Sequence, residues 1–172
     1  MSSGNQDVAS FGWTAVPRSQ SKLIAELGDV QPARTSVNDI KLPESELAKK
    51  TYDYAKEKLP EKTFNHSLRV FYYGAAIAKA HFPQWSTFLE TYYLTCLLHD
   101  IGTTDDNLSG THMSFEYYGA FIALEFLKQV GAPKNQAESV SEAIVRHADL
   151  GEAGTLTSLG QLIQLSTVFG EW

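Results

Sequence analysis

The chain has 172 residues, 43% of them apolar and 12% aromatic, and carries a net charge of −6 with histidine neutral. That supplies enough apolar side chain for a proper core, and the length favours one domain over two. The acidic balance argues against a general electrostatic affinity for nucleic acid or an anionic membrane, while leaving room for a local basic patch.

The N-terminal stretch MSSGNQDVASFGWTAVPRSQ has no basic start followed by an apolar block, so it does not read as a signal peptide. Residues 1–42 read as an irregular segment, punctuated by Pro17, Gly28, Pro32 and the polar run from Asn38 to Lys41. Within it, Ser21 to Asp29 suits a short helix closed by Gly28. This segment is expected to wrap the domain, with Phe11 and Trp13 as anchors. From Pro43 onward the pattern is helical, and residues 43–172 read as one helical domain. PESELAKKTYDYAKEKL puts proline at a first-turn position, acids early and lysines late, as the helix dipole favours. A second helix is predicted from Glu61 to about His81, where Phe64, Leu68, Phe71, Ala75 and Ala78 recur at spacings of three and four.

A third helix is predicted from about Phe88 to His99. It contains the lone cysteine, Cys96, which cannot form an internal disulfide and reads as a small buried hydrophobe. The fourth covers Ser114 to Gly131 and ends on glycine. The fifth follows Pro133, with Asn135 and Glu138 at capping-box spacing, and runs to about His147. The last, TSLGQLIQLSTVF, keeps Leu159, Leu162, Ile163 and Leu165 at helical spacing. No segment alternates convincingly with period two, and no run approaches the ~18 apolar residues of a membrane span. The expected architecture is an all-α bundle of about six helices, in a soluble, cytoplasmic protein.

Several polar residues interrupt these apolar patterns. His66 lies inside the second helix, the His99–Asp100 doublet ends the third, and His147 ends the fifth. Helix ends let side chains project into a shared cleft. Imidazole with carboxylate is the ligand mix that suits zinc, iron or manganese, and a doublet joined by a histidine from another helix is a compact ion site. A single helical histidine is more often a hydrogen-bonded core or surface residue, and the dipole alone favours histidine near a helix C-terminus. His81 and His112 are assigned to that ordinary class. Asp100 is disfavoured by the same dipole, so the doublet needs another cause, and a cation is the simplest.

The segments FNHSLRVFYYG, TCLLHDIGTTDDN, MSFEYYGA, EAIVRHADLG and LGQLIQLSTVF, with GWTAVPRS near the start, together resemble the urea-forming cyanamide hydratases of the HD-domain superfamily. The resemblance runs over nearly all of the chain from Gly12 onward. It implies an HD-domain helical bundle that hydrates cyanamide, a small neutral substrate, to urea. It implies His66, His99 and Asp100 as metal ligands, with zinc as the ion and iron or manganese as alternatives. Asp100 and His147 are then the catalytic candidates, His147 moving a proton or orienting substrate. For so small a substrate the pocket is expected to be small, with no basic phosphate cradle. No nucleic-acid or membrane partner is implied, and a homo-oligomer stays open.

The superfamily's last ligand, an aspartate on a late helix, falls at Gly170 here, followed by Glu171 and Trp172. The chain thus resembles the family's N-terminal two thirds, and truncation at the C-terminus is expected. Two other readings follow. One is an HD-type nucleotide phosphohydrolase, for which Arg69 and Arg146 are the nearest phosphate-binding candidates. The other is a truncated, non-catalytic HD domain.

Overall fold

The computed structural model describes residues 8–28 and 34–170, with side chains as far as Thr167. The order is β1 (Ala15–Pro17), α1 (Gln20–Ala25), α2 (Glu46–Lys58), α3 (Glu61–His81), α4 (Leu89–Leu98), α5 (Asp105–Gly110), α6 (Phe115–Gln129), α7 (Lys134–Arg146), β2 (Thr155–Thr157) and α8 (Ser158–Gly170). Among the described residues, no helix is long and apolar enough to cross a membrane. Asp29, Pro32, Glu171 and Trp172 lie outside the described residues.

The all-α expectation holds, and local chemistry explains where the helices begin. Ser45 Oγ accepts a hydrogen bond from Ala48 N at 3.0 Å and so caps α2, leaving Pro43 outside the helix. Pro60 and Pro133 stand at the N-caps of α3 and α7. The capping box expected from Asn135 and Glu138 does not form: α7 starts at Lys134, which puts Asn135 inside the first turn rather than at the cap. Ser19 caps α1, which starts at Gln20 and stops at Ala25, short of the expected end. Gly28 follows with φ at +67°, a backbone that glycine adopts without strain.

α4 is the central helix. Every residue from Thr91 to Leu98 is buried, so it shows no polar stripe in sequence. It packs against α2, α3, α7 and α8. Gly74 on α3 makes one of these approaches possible, because a Cβ there would lie 1.9 Å from Tyr92 Oη. That hydroxyl donates to Val70 O at 2.7 Å and lies 2.7 Å from Ser166 Oγ, joining α3, α4 and α8. Cys96 is buried and free as expected, and burial raises its thiol pKa.

Three features were not expected from sequence. A two-stranded antiparallel ribbon pairs Ala15 with Thr157, Val16 with Leu156 and Pro17 with Thr155. A 3₁₀ turn over Pro83–Phe88 leads into α4, with Phe82 stacked on Trp85 at 4.0 Å between ring centroids. The short helix α5 is capped by Thr104. The N-terminal residues are also fastened beyond the ribbon. Ser139 Oγ donates to Phe11 O at 2.6 Å, Trp13 Nε1 to Asn135 O at 3.0 Å and Ser158 Oγ to Gly12 O at 3.0 Å.

Candidate metal centre

His99 and His147 are the C-caps of α4 and α7. Their backbones nearly coincide, at φ −61°, ψ −31° and φ −64°, ψ −29°. In both, Nδ1 approaches the carbonyl three residues earlier, Cys96 O at 2.8 Å and Ile144 O at 2.7 Å. A carbonyl can only accept, so in the neutral ring Nδ1 carries the proton and Nε2 presents its lone pair. Both rings are buried, at 1% and 6% exposure. Desolvation lowers both pKa values; the Asp100 charge opposes this at His99, whereas the neighbouring His99 adds to it at His147.

These Nε2 atoms face one another's neighbours in the cluster. His99 Nε2 lies 3.3 Å from His66 Nε2 and 3.3 Å from Asp100 Oδ2. His66 Nε2 is 3.8 Å from the same oxygen, and His147 Nε2 is 3.9 Å from Asp100 Oδ1. One ligand atom from each of His66, His99 and Asp100 lies within 4.8 Å of the others, and no other such trio occurs among the described residues. A neutral His99 nitrogen 3.3 Å from a carboxylate oxygen is a pair that a cation or a proton between them would relieve. The spacing suits an ion as well. Two imidazole nitrogens ~2.0–2.1 Å from a tetrahedral zinc stand ~3.3–3.4 Å apart.

A close backbone contact places the doublet. A Cβ at Gly102 would lie 2.1 Å from Phe115 O, so only glycine lets the turn after Asp100 seat on the start of α6. Thr103 Oγ1 donates to Asp100 O at 2.7 Å and Asn107 Nδ2 to Ile101 O at 2.7 Å, which closes that turn. Phe115 also packs edge-on against the His147 ring, with centroids 5.6 Å apart.

The matches to known proteins agree with this arrangement. The HD domain family model matches residues 63–166. Cyanamide hydratases DDI2 and DDI3 of Saccharomyces cerevisiae are each 40% identical to the chain over 161 residues, which is 93% of it and 70% of their length. The chain belongs to the HD-domain cyanamide hydratase family.

The structure brings together all four residues singled out from sequence: His66, His99, Asp100 and His147. His81 ends α3 and His112 is exposed, both outside the cluster. The pocket departs from expectation. Lys62, Thr63, His66, Arg69 and Asp100 line an open cavity of about 450 Å³, larger and more basic than a minimal cyanamide pocket. Lys62, His66 and Arg69 are four and three residues apart and share a face of α3, a signal present in the sequence. Arg146 is not in this lining; its Nε lies 3.4 Å from Asp149 Oδ2. Gly170 ends α8, and its surroundings fall outside the described side chains.

Proposed function

We propose that this chain hydrates cyanamide to urea, using a divalent ion, zinc in first place, held by His66, His99 and Asp100. The observation that carries this reading is the convergence of those three side chains, with His147 Nε2 3.9 Å from Asp100 Oδ1, in a chain 40% identical to curated cyanamide hydratases. Bound there, zinc would supply Lewis acidity toward water and the nitrile.

The chain's own groups then have distinct tasks. Asp100 turns Oδ2 toward the two ligand histidines and Oδ1 toward His147. Burial keeps His147 neutral near pH 7, with its Nδ1–H fixed on Ile144 and Nε2 open as a base. A water oxygen bonds to the nitrile carbon while one C≡N electron pair moves to nitrogen. His147 Nε2 takes a proton from that water and returns it to the nitrogen. The product is isourea, which tautomerises to urea, so water is the only co-reactant.

The test is urea release from cyanamide by the zinc-loaded chain. His147→Ala should lower kcat by about 10²-fold or more, the usual weight of general acid–base catalysis. No urea from folded, zinc-loaded protein would overturn the proposal. Lys62 and Arg69 at the cavity support a second reading, a nucleotide phosphohydrolase, because paired cations suit phosphate. Phosphate release from nucleoside monophosphates, without urea from cyanamide, would reverse the ranking.

A further inference from the structure

Gln164 lies on α8, outside the ligand cluster, and is fully buried. Its Nε2 donates to Arg146 O at 2.6 Å and to Asp149 O at 3.1 Å. Those carbonyls stand on either side of His147. The amide orientation is fixed, since the flipped form would set Oε1 against two carbonyl oxygens. Oε1 itself has no hydrogen-bond partner among the described residues, so the donor end alone holds the side chain.

Arg146 is the last residue of α7, and a helix end leaves carbonyls without intrahelical donors. Asp149 N reaches Arg146 O at 3.1 Å, and Gln164 adds a second donor to that oxygen. Asp149 O likewise accepts from Arg18 Nη2 at 3.0 Å as well as from Gln164. The turn carrying His147 is therefore bracketed from the core by one amide and from outside by one guanidinium. Leu162, Ile163 and Leu165 are buried as well, so this stretch of α8 lies in the core.

We infer that Gln164 is a positioning residue for His147, holding the 146–149 turn so that the imidazole keeps one tautomer and faces Asp100. This rests on the proposed role of His147. Fixing a reactive group through a buried partner commonly changes activity 10–100-fold.

The test uses Gln164→Met, which keeps length and removes both donors, in the full zinc-loaded chain. Its kcat for cyanamide should fall about 10-fold or more, with KM and zinc content unchanged. In a His147→Ala background the same substitution should have no further effect on kcat. Wild-type kcat in folded Gln164→Met, or an undiminished loss without His147, would overturn the inference. A separate readout needs no cyanamide turnover. Long-range ¹H–¹⁵N spectra should show His147 as the Nδ1–H tautomer in wild type and as a mixed or broadened signal in Gln164→Met. Unchanged His147 resonances would overturn the inference, whereas failure of the wild type to make urea would overturn only the proposed reaction. If Gln164→Met does not fold, Arg18→Ala removes the outer donor to Asp149 O. It should lower kcat less, again only when His147 is present, and an effect that persists without His147 would count against the inference.

Discussion

His99 and His147 are the same local device used twice: a helix C-cap, Nδ1 on the carbonyl three residues back, and Nε2 aimed at Asp100. They differ in what holds the chain just beyond. After His99 the turn is locked by backbone against backbone, Gly102 on Phe115. After His147 it is held by side chains from distant parts of the sequence, Gln164 and Arg18. The first arrangement suits the proposed ligands of a fixed ion. The second suits the proton transfer proposed for His147.

The largest expected effect lies on the rigid side. Gly102→Ala places a methyl group 2.1 Å from a backbone oxygen that cannot step aside. It should cost about 3 kcal/mol, the upper range for overpacking, measured by denaturant unfolding. A cost below ~1 kcal/mol would show that the two turns are equally yielding.

The proposed zinc ion should separate the ligand histidines, His66 among them, from His147. At free zinc 100 times Kd, stabilisation should be about 2.7 kcal/mol, a rise in Tm of about 5–10 °C for a chain of this size. His66→Ala should lose this rise and His147→Ala should keep it. Loss in both would make His147 a ligand and erase the distinction drawn above.

Acid comes next. Burial lowers the folded-state pKa of both histidines, so below the ordinary value of ~6.5 the unfolded chain binds more protons than the fold. Chelator-treated protein should lose stability as pH falls from ~6.5 toward the lowered values, with no contribution from these groups at higher pH. His147→Gln should remove part of that acid limb in a thermal series, and an identical limb would place His147 in water.

The smallest effect is on the yielding side. A Cβ at Gly151 would meet the guanidinium of Arg18 at 2.6 Å, the far end of a flexible side chain. Gly151→Ala should therefore cost under ~1 kcal/mol, as for the loss of a partly exposed ion pair.

Most of the helices were legible because their signals are local. Phe64 to Ala78 repeat at helical spacing, and α4 shows no charged residue after Glu90 because Thr91 to Leu98 are buried on every side. The His99–Asp100 doublet was legible because burying both groups is costly without a partner. What escaped has no local signal. A three-residue strand such as Thr155–Thr157 is too short to show alternation, and Pro17 adds nothing to that pattern. Gln164 sits among apolar neighbours on a core helix, and its partners lie 18 and 15 residues away across a turn. The Asn135 and Glu138 spacing misled because Pro133 had already set the start of α7.

The ribbon between Ala15–Pro17 and Thr155–Thr157, with the Arg18–Asp149 bond that joins residues 131 apart, also bears on the order of folding. Closing so long a loop must precede any gain from the contacts it makes, and such contacts tend to form late. Helices α3 and α4 meet across a much shorter stretch of chain and can bring His66 and the His99–Asp100 doublet together without the ribbon. The site would then assemble in two stages, the proposed ion ligands first and His147 only when the N-terminal segment docks. By the same reasoning, the ribbon is where the native protein opens first. Native-state hydrogen exchange should find the amide of Val16 released by a smaller opening than that of Leu97, deep in α4.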